Sequence, residues 1–149
     1  MISGKIYDEW MEQTQLQKLR QILQKVKPEG TVLDVGAGPG FLEQFVDAVA
    51  TDVNLENLRK ADGPKVLCSG DALPFRSLSF DWVFCVDTVH LLKNADELKR
   101  VGRNAVITLF CNEHNAEERL AELGRFGKGE TFLVKSDKEW DAVLVLRRH

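Results

Sequence analysis

The sequence predicts a doubly wound α/β sheet, mainly parallel, with one antiparallel strand toward its far side. Three observations predict it. Strand-like and helix-like runs alternate between residues 31 and 124, the pattern that builds a parallel sheet with right-handed helical crossovers. Two later strand-like runs are joined only by Ser136-Asp137-Lys138-Glu139, too short for a parallel crossover but sufficient for a hairpin. The first strand also runs straight into three alternate glycines, in Val32-Leu33-Asp34-Val35-Gly36-Ala37-Gly38-Pro39-Gly40, a bare backbone that lets something come close.

Each element has its own signal. From Tyr7 to Lys27 the apolar residues Tyr7, Trp10, Met11, Leu16, Leu19, Leu23 and Val26 keep the three-and-four spacing of an amphipathic helix, which Pro28 and Gly30 terminate. Thr31 to Val35 reads as a buried strand, Pro39 to about Ala48 as a helix with Phe41, Leu42, Phe45 and Val46 on one face, and Val49 to Asp52 as the next strand. Asn54 caps a helix that Gly63-Pro64 closes. Lys65 to Ser69 and Phe80 to Val86 are the third and fourth strands, and Asn94 with Glu97 forms a capping pair for the helix that carries Leu98 and Val101. Asn104 to Phe110 is the fifth strand; Asn115 with Glu118 opens another helix, which Gly124 stops. Glu130 to Lys135 and Trp140 to Leu146 form the closing hairpin.

A chain of 149 residues suits one domain. It divides into a leading helix over 1–30, a ligand-binding core over 31–110, and a helix with the hairpin over 111–149. No run approaches 18 consecutive apolar residues and the first residues lead into a polar helix pattern, so neither a membrane span nor an export signal is expected, and the expected compartment is the cytoplasm. Cys68, Cys85 and Cys111 are far apart and contain no Cys-x-x-Cys pair, which argues against a disulfide framework and a zinc knot. A net charge of -3 gives no general attraction to nucleic acid.

In an open parallel sheet, ligands sit beyond the carboxyl ends of the strands. Those ends deliver Asp34 and the glycine loop, then Asp52, then Gly70-Asp71-Ala72, then Asp87-Thr88-Val89-His90, then Cys111-Asn112-Glu113-His114. A carboxylate at Asp52 suits the two hydroxyls of a ribose, although an isolated strand-end acid can simply be solvated. The dinucleotide fingerprint needs a further glycine where this chain has Phe41, no Gly-Lys-Ser/Thr follows, and the only tyrosine has Met11 rather than lysine four residues on. Two-phosphate and hydride chemistry are therefore disfavoured. Cys111 and His114 have a ligand-like spacing, but two ligands make no metal site.

The glycine loop, Ala50-Thr51-Asp52-Val53, Gly70-Asp71-Ala72-Leu73-Pro74-Phe75 and Ser79-Phe80-Asp81-Trp82-Val83 together resemble, in order and spacing, the class I S-adenosylmethionine-dependent methyltransferases, closest to their small type 11 group. The resemblance covers residues 31 to 110. It implies a Rossmann-like sheet in the order 3-2-1-4-5-7-6, with the seventh strand antiparallel and the leading helix as a lid. It implies S-adenosyl-L-methionine as cofactor and S-adenosyl-L-homocysteine as product. Asp34 and the backbone of Gly36, Ala37, Gly38 and Gly40 would hold the methionine part, Asp52 the ribose, Val53 the adenine face, and Asp71, Ala72 and Leu73 the adenine edge. Tyr7 from the lid and Asp87 would complete the cofactor site, and Asp87, His90 and His114 are the acceptor-side candidates for catalysis. Core packing is the alternative for Leu73, and helix packing for Tyr7.

After the fourth strand this chain has Asp87-Thr88-Val89-His90 in place of the Asn/Asp-Pro-Pro-Tyr/Phe of enzymes that methylate planar amide nitrogens, so that substrate class is disfavoured. The methyl acceptor, whether a small molecule, a protein or an RNA base, is not named by the sequence. The third strand, residues 65–69, is an expected sheet edge that could receive a small zinc-binding activator protein or a second copy. Two other function classes stand beside methyl transfer: a non-catalytic cofactor-binding subunit and, further off, a nicotinamide-dependent dehydrogenase.

Overall fold

The computed structural model describes residues 4–148, with side chains from residue 9 onward. Its elements are α1 (Gly4–Lys25), β1 (Val32–Val35), β2 (Val49–Asp52), α2 (Leu55–Lys60), β3 (Lys65–Leu67), β4 (Phe80–Val86), α3 (Asp96–Val101), β5 (Gly102–Cys111), α4 (Ala116–Leu123), β6 (Glu130–Lys135) and β7 (Trp140–Arg147). The seven strands form one sheet in the order β3-β2-β1-β4-β5-β7-β6. β1 to β5 are parallel, while β7 runs antiparallel to both β5 and β6. The expected strand order and orientation are both observed.

Side-chain alternation along the strands divides the core into two layers. Trp82 and Phe84 of β4, with Val106, Val143 and Val145, face Leu19, Ile22 and Val26 of α1. Val83 and Cys85, with Ala105, Ile107 and Leu144, face Leu98 and Val101 of α3 and Leu123 of α4. Each large apolar side chain buried in this way contributes about 1.5–3 kcal/mol. The same alternation in β1 turns Leu33 and Val35 toward α3 and α4 and puts Asp34 on the face of Val32, which packs with α1. A buried acid under α1 therefore follows from the register of β1.

Several boundaries differ from the sequence reading, each for a local reason. The helix expected over Pro39–Ala48 is only a 3-10 turn at Leu42–Gln44. Gly40 sits at φ 92, outside helical space, and leaves eight residues before β2 begins at Val49. Those residues must return the length of a four-residue strand, about 13 Å; a helix rising 1.5 Å per residue would consume all of them and leave none to turn. Asn54 does cap α2, accepting from the Asn57 N–H at 3.0 Å. The capping pair before α3 does not form: Ala95 holds the cap position, Asn94 accepts from Asp96 N, and Glu97 turns away to Leu73 N and Arg100. Asn115 does not cap α4 with its side chain, because its Oδ1 accepts from Asn112 N at 2.8 Å. Gly124 does not stop the chain's winding, which continues as a 3-10 turn to Phe126 and ends at Gly127 with φ 151. β3 ends at Leu67 because Ser69 and Ala72 close a tight turn. Among the described residues no helix is long and apolar enough to cross a membrane.

Candidate functional site

β1, β2 and β4 lie side by side and end level with one another, which brings their following loops together. The loop after β1 is tied to β2 first: the N–H groups of Gly36 and Ala37 both donate to Thr51 O, at 3.0 and 2.8 Å. Its glycines answer different demands. A Cβ on Gly36 would lie 2.4 Å from Thr88, and one on Gly40 would lie 2.6 Å from the Ala61 Cα, so both permit close packing. Gly38 has φ 58, and a Cβ there would meet nothing within 4 Å. It is the one glycine of the three that opens onto free space.

Gly38 also donates its N–H to Asp52 Oδ2 at 2.8 Å, and Asn54 N donates to Asp52 Oδ1 at 2.8 Å. An ionised carboxylate accepts about four hydrogen bonds, so Asp52 keeps acceptor capacity beyond these two. Val53 beside it is 73% exposed. A cleft of about 200 Å³ opens over the loop, with Asp34, Gly36 to Pro39 and Asp87 on one side and Gln15 and Leu19 of α1 on the other. The placement of α1 as a cover over the loop is thus seen, while the side chain of Tyr7 lies outside the described residues.

The other expected residues are spread along the same edge. Asp71 is half-buried and accepts from Lys93 N at 2.9 Å, Ala72 donates its N–H to Ser69 O, and Leu73 is buried. The Ala72 amide is thus already engaged in the turn. Asp87 lines the cleft, whereas His90 is exposed on a 3-10 turn. His114 is 84% exposed by side chain, with its Nε2 3.5 Å from Glu113 Oε1. The structure therefore joins Asp34, Gly36, Ala37, Gly38 and Asp87 in one cleft, links Asp52 to it through Gly38, and leaves both histidines at the surface.

Two carboxyl clusters give the cleft its electrostatics. Burial, and then the neighbouring Glu43 carboxylate, pushes Asp34 well above the usual carboxylate range. Burial raises Glu43 as well. No hydrogen-bond partner reaches either carboxylate oxygen of Glu43 among the described residues, so nothing there offsets the cost of burying its charge. On the other wall, Lys18 Nζ of α1 binds Asp87 Oδ2 at 3.0 Å, Glu139 Oε2 at 3.0 Å and Asp141 Oδ1 at 3.1 Å. Burial opposes the ammonium charge, but Asp141, Asp87 and Glu139 outweigh it and hold Lys18 above its usual range. Burial first, and the charge of Asp87 next, push Asp141 up to about 9.

Glu43, Lys18, Glu139 and Asp141 were not among the site residues expected from the sequence. Lys18 falls four residues before Ile22 and eight before Val26, on the buried face of α1, and Asp141 interrupts an apolar strand. A charge at a core position on each of two elements was the available signal. Glu43 had none, because it lay in a segment expected to be helical. A larger hollow of about 360 Å³ lies at the opposite ends of the strands, beside Gly30, Val49 and Phe80; Glu43, Asp47 and Asp62 line it, but the glycine loop, Asp34, Asp52 and Asp87 do not.

The sequence profile of the methyltransferase-domain family matches residues 33–109, more than half of the chain. No curated protein matches the chain in sequence. Solved structures share its fold. One from Haloferax volcanii, a complex of the Trm112 methyltransferase activator with its methyltransferase partner, has a TM-score of 0.71 at 16% identity and covers 96% of this chain and 94% of that one. An S-adenosylmethionine-dependent methyltransferase from Aquifex aeolicus gives 0.61 at 20% identity, with 88% and 90% covered. The magnesium protoporphyrin IX methyltransferase from Synechocystis PCC 6803, solved with bound S-adenosylmethionine, gives 0.61 at 14% identity, with 99% and 85% covered.

Proposed function

The chain belongs to the methyltransferase-domain family, and from that premise we propose that it transfers the methyl group of S-adenosyl-L-methionine to a nucleophilic acceptor and releases S-adenosyl-L-homocysteine. The observation that carries the reading is the open backbone of Gly38 between the carboxyl groups of Asp34 and Asp52. The residues fit the ligand's chemistry: an acid for its ammonium, bare main chain for its carboxylate, and a carboxylate with unused lone pairs for its ribose hydroxyls. Val53, Asp71, Ala72 and Leu73 would border the adenine.

The bound cofactor supplies an electrophilic methyl group on a good leaving group. What remains for the protein is to bind, align and exclude water. Asp34 and the loop backbone hold one end, Asp52 the middle, and α1 covers the cleft from above. A proton acceptor is required only where the acceptor loses a proton during attack. Asp87, which lines the cleft, is better placed for that than His90 or His114, both at the surface. Three free thiols, two of them buried, suit a reducing compartment such as the cytosol.

The test is a melting experiment with S-adenosylhomocysteine and, separately, NAD. A ligand at 100 times its dissociation constant stabilises by about 2.7 kcal/mol. S-adenosylhomocysteine should raise the melting temperature and NAD should not; the reverse outcome would make the protein a nicotinamide enzyme. Labelled methyl leaving the cofactor in cell extract then separates an enzyme from a non-catalytic binding subunit.

A second reading is that this chain is the catalytic half of a two-subunit enzyme. It is favoured by the edge strand β3, where Leu67 is 53% exposed, and by the likeness to the Haloferax volcanii chain that binds the Trm112 activator. A chain that is soluble, monodisperse and active alone would remove it.

A further inference from the structure

We propose that Lys18 is a positioning residue of the transfer site: from α1 it fixes the orientation of the Asp87 carboxylate that lines the cleft, and so sets α1 in place across the cleft. The proposal rests on the cofactor reading above and extends it to a residue far away in sequence.

Asp87 is held on every side except the cleft. Its backbone has φ 55, a left-handed conformation that costs a residue other than glycine about 1–2 kcal/mol. The Asp87 N–H donates to Thr108 Oγ1 at 2.9 Å, and that hydroxyl donates to Asp87 Oδ1 at 3.0 Å. Lys18 Nζ takes Oδ2 at 3.0 Å. One oxygen is thus fixed from β5 and the other from α1, and rotation of the carboxylate would break both bonds. The Lys18 side chain is 1% exposed and that of Asp87 is 20% exposed, so the ammonium lies behind the acid and only the acid meets solvent in the cleft.

The charges around the pair explain why the arrangement holds. Lys18 faces Asp87 at the end of β4, Glu139 in the turn between β6 and β7, and Asp141 on β7, with the Cys111 thiol of β5 also within their electrostatic reach. Three ionised acids on one buried ammonium would leave excess negative charge in the core. Asp141 is fully buried and its Oδ2 has no hydrogen-bond partner among the described residues, so an ionised carboxylate is costly there. Its elevated pKa of about 9 agrees. Two neighbouring carboxyl groups differ by environment: Asp141 is buried and favours its protonated form, while Asp87 has a donor on each oxygen and lines the cleft.

Lys18 also joins two elements that the sheet alone does not fix together. α1 precedes β1, while Glu139 and Asp141 come from the last hairpin. Gln15 and Leu19, one turn before Lys18 and one residue after it, line the cleft. Moving Lys18 off Asp87 therefore moves the cover of the site.

Calorimetric titration with S-adenosylhomocysteine tests this through the variants Lys18→Met and Asp87→Asn and their double. If Lys18 acts through Asp87, each single substitution weakens binding about tenfold and the double is no weaker than Asp87→Asn alone. A merely structural lysine would give losses that multiply, which would overturn the proposal, as would a Lys18→Met protein that binds like the wild type. Because Lys18→Met leaves acids unpaired, the same cycle is run in an Asp141→Asn background, with melting curves reporting that each protein is folded. Wild-type protein that does not bind S-adenosylhomocysteine would overturn the cofactor reading and this proposal with it.

Discussion

The backbone N–H of Gly38 donates to Asp52 Oδ2 at 2.8 Å, so the open glycine of the β1 loop is anchored to the acid at the end of β2 before any ligand arrives. Asp52 consequently has two functions, shaping the loop and presenting lone pairs beyond it. Asp52→Ala should abolish the S-adenosylhomocysteine-induced rise in melting temperature and also lower the stability of the free protein by about 1–2 kcal/mol. Asp52→Ala protein that keeps the thermal shift would show that the ribose is held elsewhere.

The three loop glycines should respond differently to alanine. At Gly38 the methyl group enters empty space, so the loss of stability should be limited to the left-handed backbone, about 1–2 kcal/mol, while S-adenosylhomocysteine binding falls sharply because the methyl occupies the approach. At Gly36 the same methyl would sit 2.4 Å from Thr88, and Gly36→Ala should cost more stability than Gly38→Ala. Urea denaturation of the two proteins, with ligand titration of each, checks the ranking.

The fold was legible wherever hydrophobic period and turn chemistry agreed. The short 136–139 connection was enough to place the antiparallel hairpin, and the acid-bearing strand ends do gather along one edge of the sheet. Illegible were features set by distances in space. The helix after β1 looked sound from Phe41, Leu42, Phe45 and Val46, but its length was limited by how far the chain had to travel back to Val49. Glu97 had the spacing of a capping residue, yet Leu73 N and Arg100 offered it partners from outside its helix. The Lys18 cluster joins positions separated by more than a hundred residues, and no local pattern pairs them.

The Asp34–Glu43 pair should make both stability and ligand binding depend on pH. Asp34 is raised by burial and then by Glu43, so the folded state holds a proton that the unfolded state releases. A carboxyl group with a raised folded pKa lowers stability as pH rises from its unfolded value through its folded value. Glu43→Gln places an amide donor beside Asp34 and should stabilise the protein at pH 8 by about 1 kcal/mol, a gain that disappears in acid once both carboxyl groups are protonated. A cationic ligand group beside Asp34 would favour its ionised form. Binding of S-adenosylhomocysteine should then release a proton in the wild type and less in Glu43→Gln, measurable by calorimetry in buffers of different ionisation enthalpy.

Asp141 gives a second pH window with the same sign. Its pKa of about 9, set by burial and then by Asp87, lies above that of an unfolded aspartate. Its contribution to stability is largest in acid and decreases as pH rises toward 9. Asp141→Asn, isosteric and always neutral, should flatten the stability profile across that window. Denaturation midpoints from pH 5 to pH 9 measure it, and a mutant profile parallel to that of the wild type would mean that Asp141 is ionised in the fold.

The edge strand β3 presents Leu67, 53% exposed, beside the half-buried Val66, with one side of the strand unpaired. A charge at such a position is the usual way natural edges avoid pairing with another chain. Leu67→Lys removes no core contact, so it should change stability by no more than about 0.5 kcal/mol. If β3 is a docking edge, the same substitution should abolish copurification with a coexpressed zinc-binding activator, and should remove concentration-dependent self-association of the chain alone in light scattering. Leu67→Lys protein that still associates in both experiments would exclude this edge.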